Sequence, residues 1–152
     1  GDVYKRQMHH CMRLIGAGQR CLQLACQRVE DRETFGKKLS QHQSIRENIA
    51  KSYAELEMAR LLVHKTCWHI DTHGVKPSIE LISATKISVP LMIQAIIDRC
   101  MQMHGAGGLT EDWCMAEQFN YARWCRQADG PDEVHQMALG KRIIQQYAEA
   151  SA

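Results

Sequence analysis

The sequence predicts an all-α fold, an antiparallel up-and-down helical bundle, on three observations. Apolar residues recur at steps of three, four or seven through almost every long segment. No stretch alternates apolar and polar residues over a useful strand length, and the connections between periodic segments are short and polar.

The first helix carries the stripe Cys11, Leu14, Gly18, Leu22, Ala25 and Val29 and ends near Glu33. A connector follows, in which Gly36 takes a left-handed turn, Phe35 tucks under the bundle and Ser40 caps the next helix. That second helix spans about 41–72 on Ile45, Ile49, Leu56, Ala59, Val63 and Ile70, and stops at Gly74. Pro77 suits the first turn of a third helix bearing Ile79, Ile82, Val89, Ile93, Ile96, Cys100 and Met103. Pro90 inside it removes the hydrogen bond to the Lys86 carbonyl and is expected to bend it. Gly105 ends that helix, Thr110 with Glu111 and Asp112 caps a fourth over 112–126, and Pro131 opens a fifth over 131–150.

The 152 residues make one domain, short for a complete enzyme with a large cofactor. A net charge of +2, with 17 acids dispersed among the basic residues, gives no concentrated basic face and argues against nucleic acid. The seven cysteines are scattered, without paired spacing, and read as free thiols of a reducing compartment. No apolar run of the roughly 20 residues needed to cross a bilayer is evident, so a soluble chain is expected. His64, Cys67, His69 and His73 lack a carboxylate or second cluster, so no metal site is assigned.

Three stretches carry more polar chemistry than a connector needs. In "RETFGKKLSQHQ", Arg32, Thr34, His42 and Gln43 bring a guanidinium, a hydroxyl, an imidazole and an amide to one bundle end, groups that hold a phosphate or a heterocycle. "QMHGAGG" has three glycines in four residues, which let a backbone approach a ligand closely. "ADGPDEVH" is a good helix start on composition alone, with Asp129 as either a cap or a base.

These three motifs, in this order and at these separations, resemble the carboxy-terminal helical domain of the flavin-dependent acyl-CoA dehydrogenases. "HHCMR" at residues 9–13 and "ADGPDEVH" are most similar to the branch of family members ten and eleven. Residues 1–7 are read as a leader of doubtful origin and residues 8–152 as the domain, with amino-terminal helical and middle β domains expected upstream.

The resemblance implies FAD as cofactor, an acyl-CoA thioester as substrate, and α,β-dehydrogenation to a trans-2-enoyl-CoA in fatty-acid β-oxidation. It implies that Arg32, Thr34, Phe35, His42 and Gln43 reach a neighbouring subunit's flavin dinucleotide, and that Gln102, Met103, His104, Gly105 and Ala106 form the glycine-containing cofactor loop. Asp129 falls on the catalytic carboxylate, Gly130 on the thioester contact, and Pro131 and Glu133 on further cofactor contacts. Asp129 is one methylene shorter than the glutamate common in the family, and Pro131 and Glu133 replace threonine and glutamine. The substrate-side arginine position is occupied by Gln7, to which no role is carried. A homodimer or dimer of dimers is implied, with an electron acceptor such as an electron-transfer flavoprotein. The domain is expected not to turn over alone. The compartment is left open between mitochondria, peroxisomes and bacterial cytoplasm. A second reading from the residues is a non-catalytic helical module for oligomerisation or partner binding.

Overall fold

The first apolar stripe winds into α1 (Asp2–Asp31), with Cys11, Leu14, Ile15, Cys21, Leu22, Ala25 and Val29 buried along one face. The computed structural model describes residues 2–150, so Gly1 and the last two residues of the expected domain lie outside the described residues. Two short strands, β1 (Glu33–Thr34) and β2 (Lys37–Lys38), pair antiparallel, Glu33 with Lys38 and Thr34 with Lys37. Phe35 (φ 52°) and Gly36 (φ 77°) make the two-residue turn, both left-handed, as the twist of a tight hairpin requires. This corrects the expectation for Phe35. A hairpin tip aims its side chain away from the bundle, and Phe35 is 97% exposed.

A 3-10 turn, Leu39–Gln41, leads into α2 (Gln43–His73). Ser40 is not the cap. Its carbonyl accepts from Arg46 Nε at 2.7 Å, while His42 occupies the flanking position without a side-chain cap bond. Gly74 ends α2 as expected, with φ 84° and its N–H on the Ile70 carbonyl at 2.8 Å. Pro77 sits in a separate 3-10 turn, Lys76–Ser78, immediately before α3 (Ile79–His104).

α3 is the central helix and contacts α1, α2, α4 (Met115–Cys125) and α5 (Asp132–Glu149). It runs unbroken through the buried Pro90. Among the described residues, the segment Lys76–Leu109 is long and apolar enough to cross a membrane on length and composition alone, a test that a core helix also passes. Its apolar residues instead build the interior: Val89, Ile93, Ile96 and Ile97 meet Leu14, Ile15, Leu56 and Met115 in the core. Each such side chain contributes about 1.5–3 kcal/mol by burial.

α3 gives way at Gly105 to the 3-10 turn Gly105–Leu109. Thr110 closes this turn, its hydroxyl donating to the Gly107 carbonyl at 2.8 Å, and does not cap the fourth helix, which begins five residues later at Met115. Pro131 precedes α5 and has extended geometry (ψ 157°), so the first helical residue is Asp132.

Candidate functional site

The polar stretches gather at two places. At the carboxy-terminal end of α1, Arg28 and Arg32, Thr34 of β1, Leu39, and Gln102, Met103, His104, Gly105, Ala106 and Gly107 line a groove of about 430 Å³. The hairpin and the glycine-rich turn, 68 residues apart between Thr34 and Gln102, therefore share one wall-to-wall hollow. His104 is its most constrained member. Nδ1–H donates to the Cys100 carbonyl at 2.8 Å, and the ring meets Trp113 edge-on with centroids 4.7 Å apart. That fixes Nε2 as a bare acceptor, and it is buried with no partner. Burial pushes this imidazole below its ordinary 6.5, the Cys100 carbonyl opposing and Arg28 assisting, so the ring is neutral at neutral pH.

The other residues expected at this end do not line the groove. Phe35 stands at the hairpin tip. His42 flanks α2 with Nε2 buried and unpartnered, and Gln43 donates from Nε2 to Glu47 Oε1 at 2.7 Å.

Asp129, Gly130, Pro131 and Glu133 lie elsewhere, at the turn between α4 and α5. Asp129 is left-handed (φ 54°), an uncommon conformation for a residue with a side chain, and Gly130 follows at φ 106°. The Asp129 carboxylate does not cap α5, which rules out the purely capping explanation of this stretch. It turns instead toward α1, 3.5 Å from Arg6 Nη2 and 3.8 Å from His10 Nε2, with only 18% of its side chain exposed.

The main chain of this turn is held from three directions. Gln7 Nε2 donates to the Asp129 carbonyl at 2.8 Å. Lys86, 1% exposed, donates from Nζ to the Cys125 carbonyl at 2.6 Å and the Gly130 carbonyl at 3.3 Å. Arg126 Nε donates to Asp132 Oδ2 at 2.7 Å, and the Asp132 N–H returns to the Arg126 carbonyl at 3.1 Å.

His10, beside Asp129, and Arg28, in the groove, are 18 residues apart on one helix. At 1.5 Å per residue that separates the two places by about 27 Å. They occupy opposite ends of α1.

Sequence reasoning assigned no role to Gln7, His10, Lys86 or Tyr121. Lys86 did carry a signal: it interrupts the stripe Ile82, Val89, Ile93 with a charge at a core position. His10 stood in a motif noted only for its resemblance, and its contacts depend on tertiary packing.

Among the described residues, five α-helices carry a polar groove toward one end of α1 and a mostly buried, braced carboxylate toward the other. A family model described as "Acyl-CoA dehydrogenase, C-terminal domain" matches residues 4–144. The chain belongs to the acyl-CoA dehydrogenase family. It is 46% identical over 141 residues to acyl-CoA dehydrogenase family member 10 of Mus musculus, covering 93% of this chain and 13% of that protein. It is 42% identical over 141 residues to family member 11 of Gallus gallus, covering 93% of this chain and 18% of that protein. A glutaryl-CoA dehydrogenase from Mycobacterium smegmatis, solved in complex with FADH2, superposes with a TM-score of 0.87 at 26% identity, over 93% of this chain and 36% of that one. The chain thus spans less than a fifth of these two curated relatives.

Proposed function

We propose that this chain is the carboxy-terminal domain of a longer FAD-dependent acyl-CoA dehydrogenase, and that Asp129 is the base that takes the α proton of an acyl-CoA thioester. The observation that carries the reading is the Asp129 carboxylate, mostly buried, free of any capping duty, and set on a left-handed turn that Lys86 and Gln7 brace. The product is a trans-2-enoyl-CoA, in keeping with fatty-acid β-oxidation.

The residues of the groove suit a flavin dinucleotide. Arg28 and Arg32 offer guanidinium groups to phosphate, Thr34 a hydroxyl, Gly105 an unshielded backbone, and His104 Nε2 an unmatched acceptor for a heterocycle N–H. When bound, the flavin supplies the hydride acceptor for the β position. The protein's own share is removal of the proton. Asp129 has to meet the α carbon within hydrogen-bond reach, and Gly130, with no side chain, leaves the thioester carbonyl room beside it.

The separation of about 27 Å along α1 supports the expected sharing between subunits. One protomer's base and its dinucleotide groove are too far apart to serve the same end of a single cofactor. In a dimer, each would serve a different one. An acceptor such as an electron-transfer flavoprotein completes the cycle. On this reading, a large share of the flavin contacts comes from domains of the longer protein outside this chain.

The test is single-turnover flavin reduction by an acyl-CoA in the longer protein. Asp129→Asn should slow it by a factor of about 10² to 10⁴ with flavin content unchanged. Normal reduction in that variant would refute the assignment.

A further inference from the structure

The motif "HHCMR" has a partner across the bundle that the reaction so far described does not use. We propose that His10 is the positioning partner of Asp129, its Nε2–H presented to the carboxylate by a hydrogen bond that Tyr121 donates to Nδ1. The inference rests on Asp129 being the base.

The geometry is a clamp. Tyr121 Oη stands 2.9 Å from His10 Nδ1. The Trp124 ring meets the imidazole edge-on with centroids 5.4 Å apart, and Tyr121 and Trp124 stack at 5.8 Å and 19° to form one aromatic wall on α4. Only 18% of the His10 side chain is exposed, so the ring has little room to turn. With Nδ1 accepting from the tyrosine, the proton belongs on Nε2, and Nε2 faces Asp129 Oδ2 at 3.8 Å, longer than a hydrogen bond and poised to close to one when substrate packs against the carboxylate.

The surroundings favour the neutral ring. Burial pushes the imidazole below its ordinary 6.5; Arg13 and Arg6 on its own helix and Lys86 from α3 act in the same direction, against Asp129. The chemistry benefits from neutrality. A full positive charge buried against the carboxylate would hold it ionised and weaken it as a base, whereas a neutral N–H orients an oxygen and leaves its proton affinity available. Arg6, the other contact, has 60% of its side chain exposed and is screened by solvent. His10 is therefore the contact that can fix the orientation of the shorter carboxylate.

Two measurements test this. In the 152-residue chain with ¹⁵N-labelled histidine, the His10 imidazole should show a bare Nδ1 and a protonated Nε2 at neutral pH. Asp129→Asn should lower the His10 pKa, and Tyr121→Phe should release the fixed tautomer. In the longer, flavin-loaded protein, His10→Leu should slow single-turnover flavin reduction about tenfold, the loss expected for one hydrogen bond to a charged group. His10→Gln, which keeps an N–H donor, should recover most of that rate, and neither should change thioester affinity. A protonated Nδ1, a His10 titration indifferent to Asp129→Asn, or equal rates in the Leu and Gln variants would overturn the role of His10 while leaving Asp129 as the base. Normal flavin reduction in Asp129→Asn would overturn both.

Discussion

Lys86 holds both shoulders of the turn that carries Asp129: one ammonium group donates to the carbonyl of Cys125, where α4 ends, and to that of Gly130, just before α5. Burial lowers the proton affinity of this amine, against the opposing pull of nearby acidic groups that include Asp132 and Asp129. Its worth lies in two carbonyls that would otherwise be unmet. Lys86→Met keeps the length and loses the donors, so it should cost about 1–3 kcal/mol for each buried acceptor left unpaired. Thermal unfolding checks the stability loss. An unchanged melting temperature would show that water replaces the ammonium.

Asp129 should separate chemistry from stability. Because its carboxylate makes no cap, Asp129→Asn should leave the folding stability within about 0.5 kcal/mol of the parent, asparagine being tolerant of the left-handed region. Asp129→Ala has the same unfavourable backbone angle without that tolerance and should lose about 1 kcal/mol more. Asp129→Glu should retain measurable turnover in the longer protein if the pocket accommodates one methylene. A melting temperature that falls equally in the Asn and Ala variants would show that the carboxylate is structural.

Gly130 admits no side chain. A Cβ there would lie 2.8 Å from His135 Nε2, at a φ of 106° that other residues rarely adopt. Gly130→Ala should therefore destabilise the chain by about 1–3 kcal/mol. Gly130→Ala combined with His135→Ala should recover the steric part and leave the backbone part. Full recovery in the double variant would show that the backbone angle costs nothing.

Folding stability should fall on the acid side of neutrality. Burial holds both His104 and His10 below 6.5, so between their folded values and 6.5 the unfolded chain binds more protons than the native one. Stability contributed by the neutral rings is complete above about pH 6.5 and is lost as the pH falls through the folded values. Melting curves from pH 8 to pH 5 should show this decline, and His104→Phe, which keeps a ring against Trp113, should make it shallower. A flat profile would mean that neither ring resists protonation.

The groove alone should be a weak flavin site. Flavin fluorescence titrated with the 152-residue chain should show little binding, while the longer protein should bind flavin and sediment as a dimer or a dimer of dimers. Val134, Met137 and Ile144 on α5, each more than half exposed here, are surfaces that assembly can cover. Nanomolar flavin binding by this chain, or an active flavin-loaded monomer of the longer protein, would remove the division of labour between subunits.

The helices were legible because burial imposes a period, and Leu14, Leu56 and Ile93 declare it whatever their partners are. The boundaries were less so. Ser40 and Thr110 have the composition of caps, but Ser40 sits inside a 3-10 turn with its carbonyl holding Arg46, and the Thr110 hydroxyl closes the 3-10 turn before it. Phe35 misled because an aromatic residue suggests burial, whereas a two-residue hairpin dictates direction before hydrophobicity does. At the candidate site, sequence reasoning found the groups and not the clamp. Nothing local connects His10 with Tyr121, which lie 111 positions apart.

Cys11, Cys21 and Cys100 are almost wholly enclosed, and burial pushes Cys11 and Cys100 up to about 12 and raises Cys21 further. Enclosed and protonated, such thiols are inert toward electrophiles while the helices stay packed, since the thiolate is the reacting form. Their alkylation must therefore wait for the bundle to open. The interior contains its own clock: in a dilute alkylating reagent the rate at which these three sulfurs are labelled counts openings of the central packing, while Cys26, Cys67 and Cys114, nearer the surface, report looser, local fluctuations.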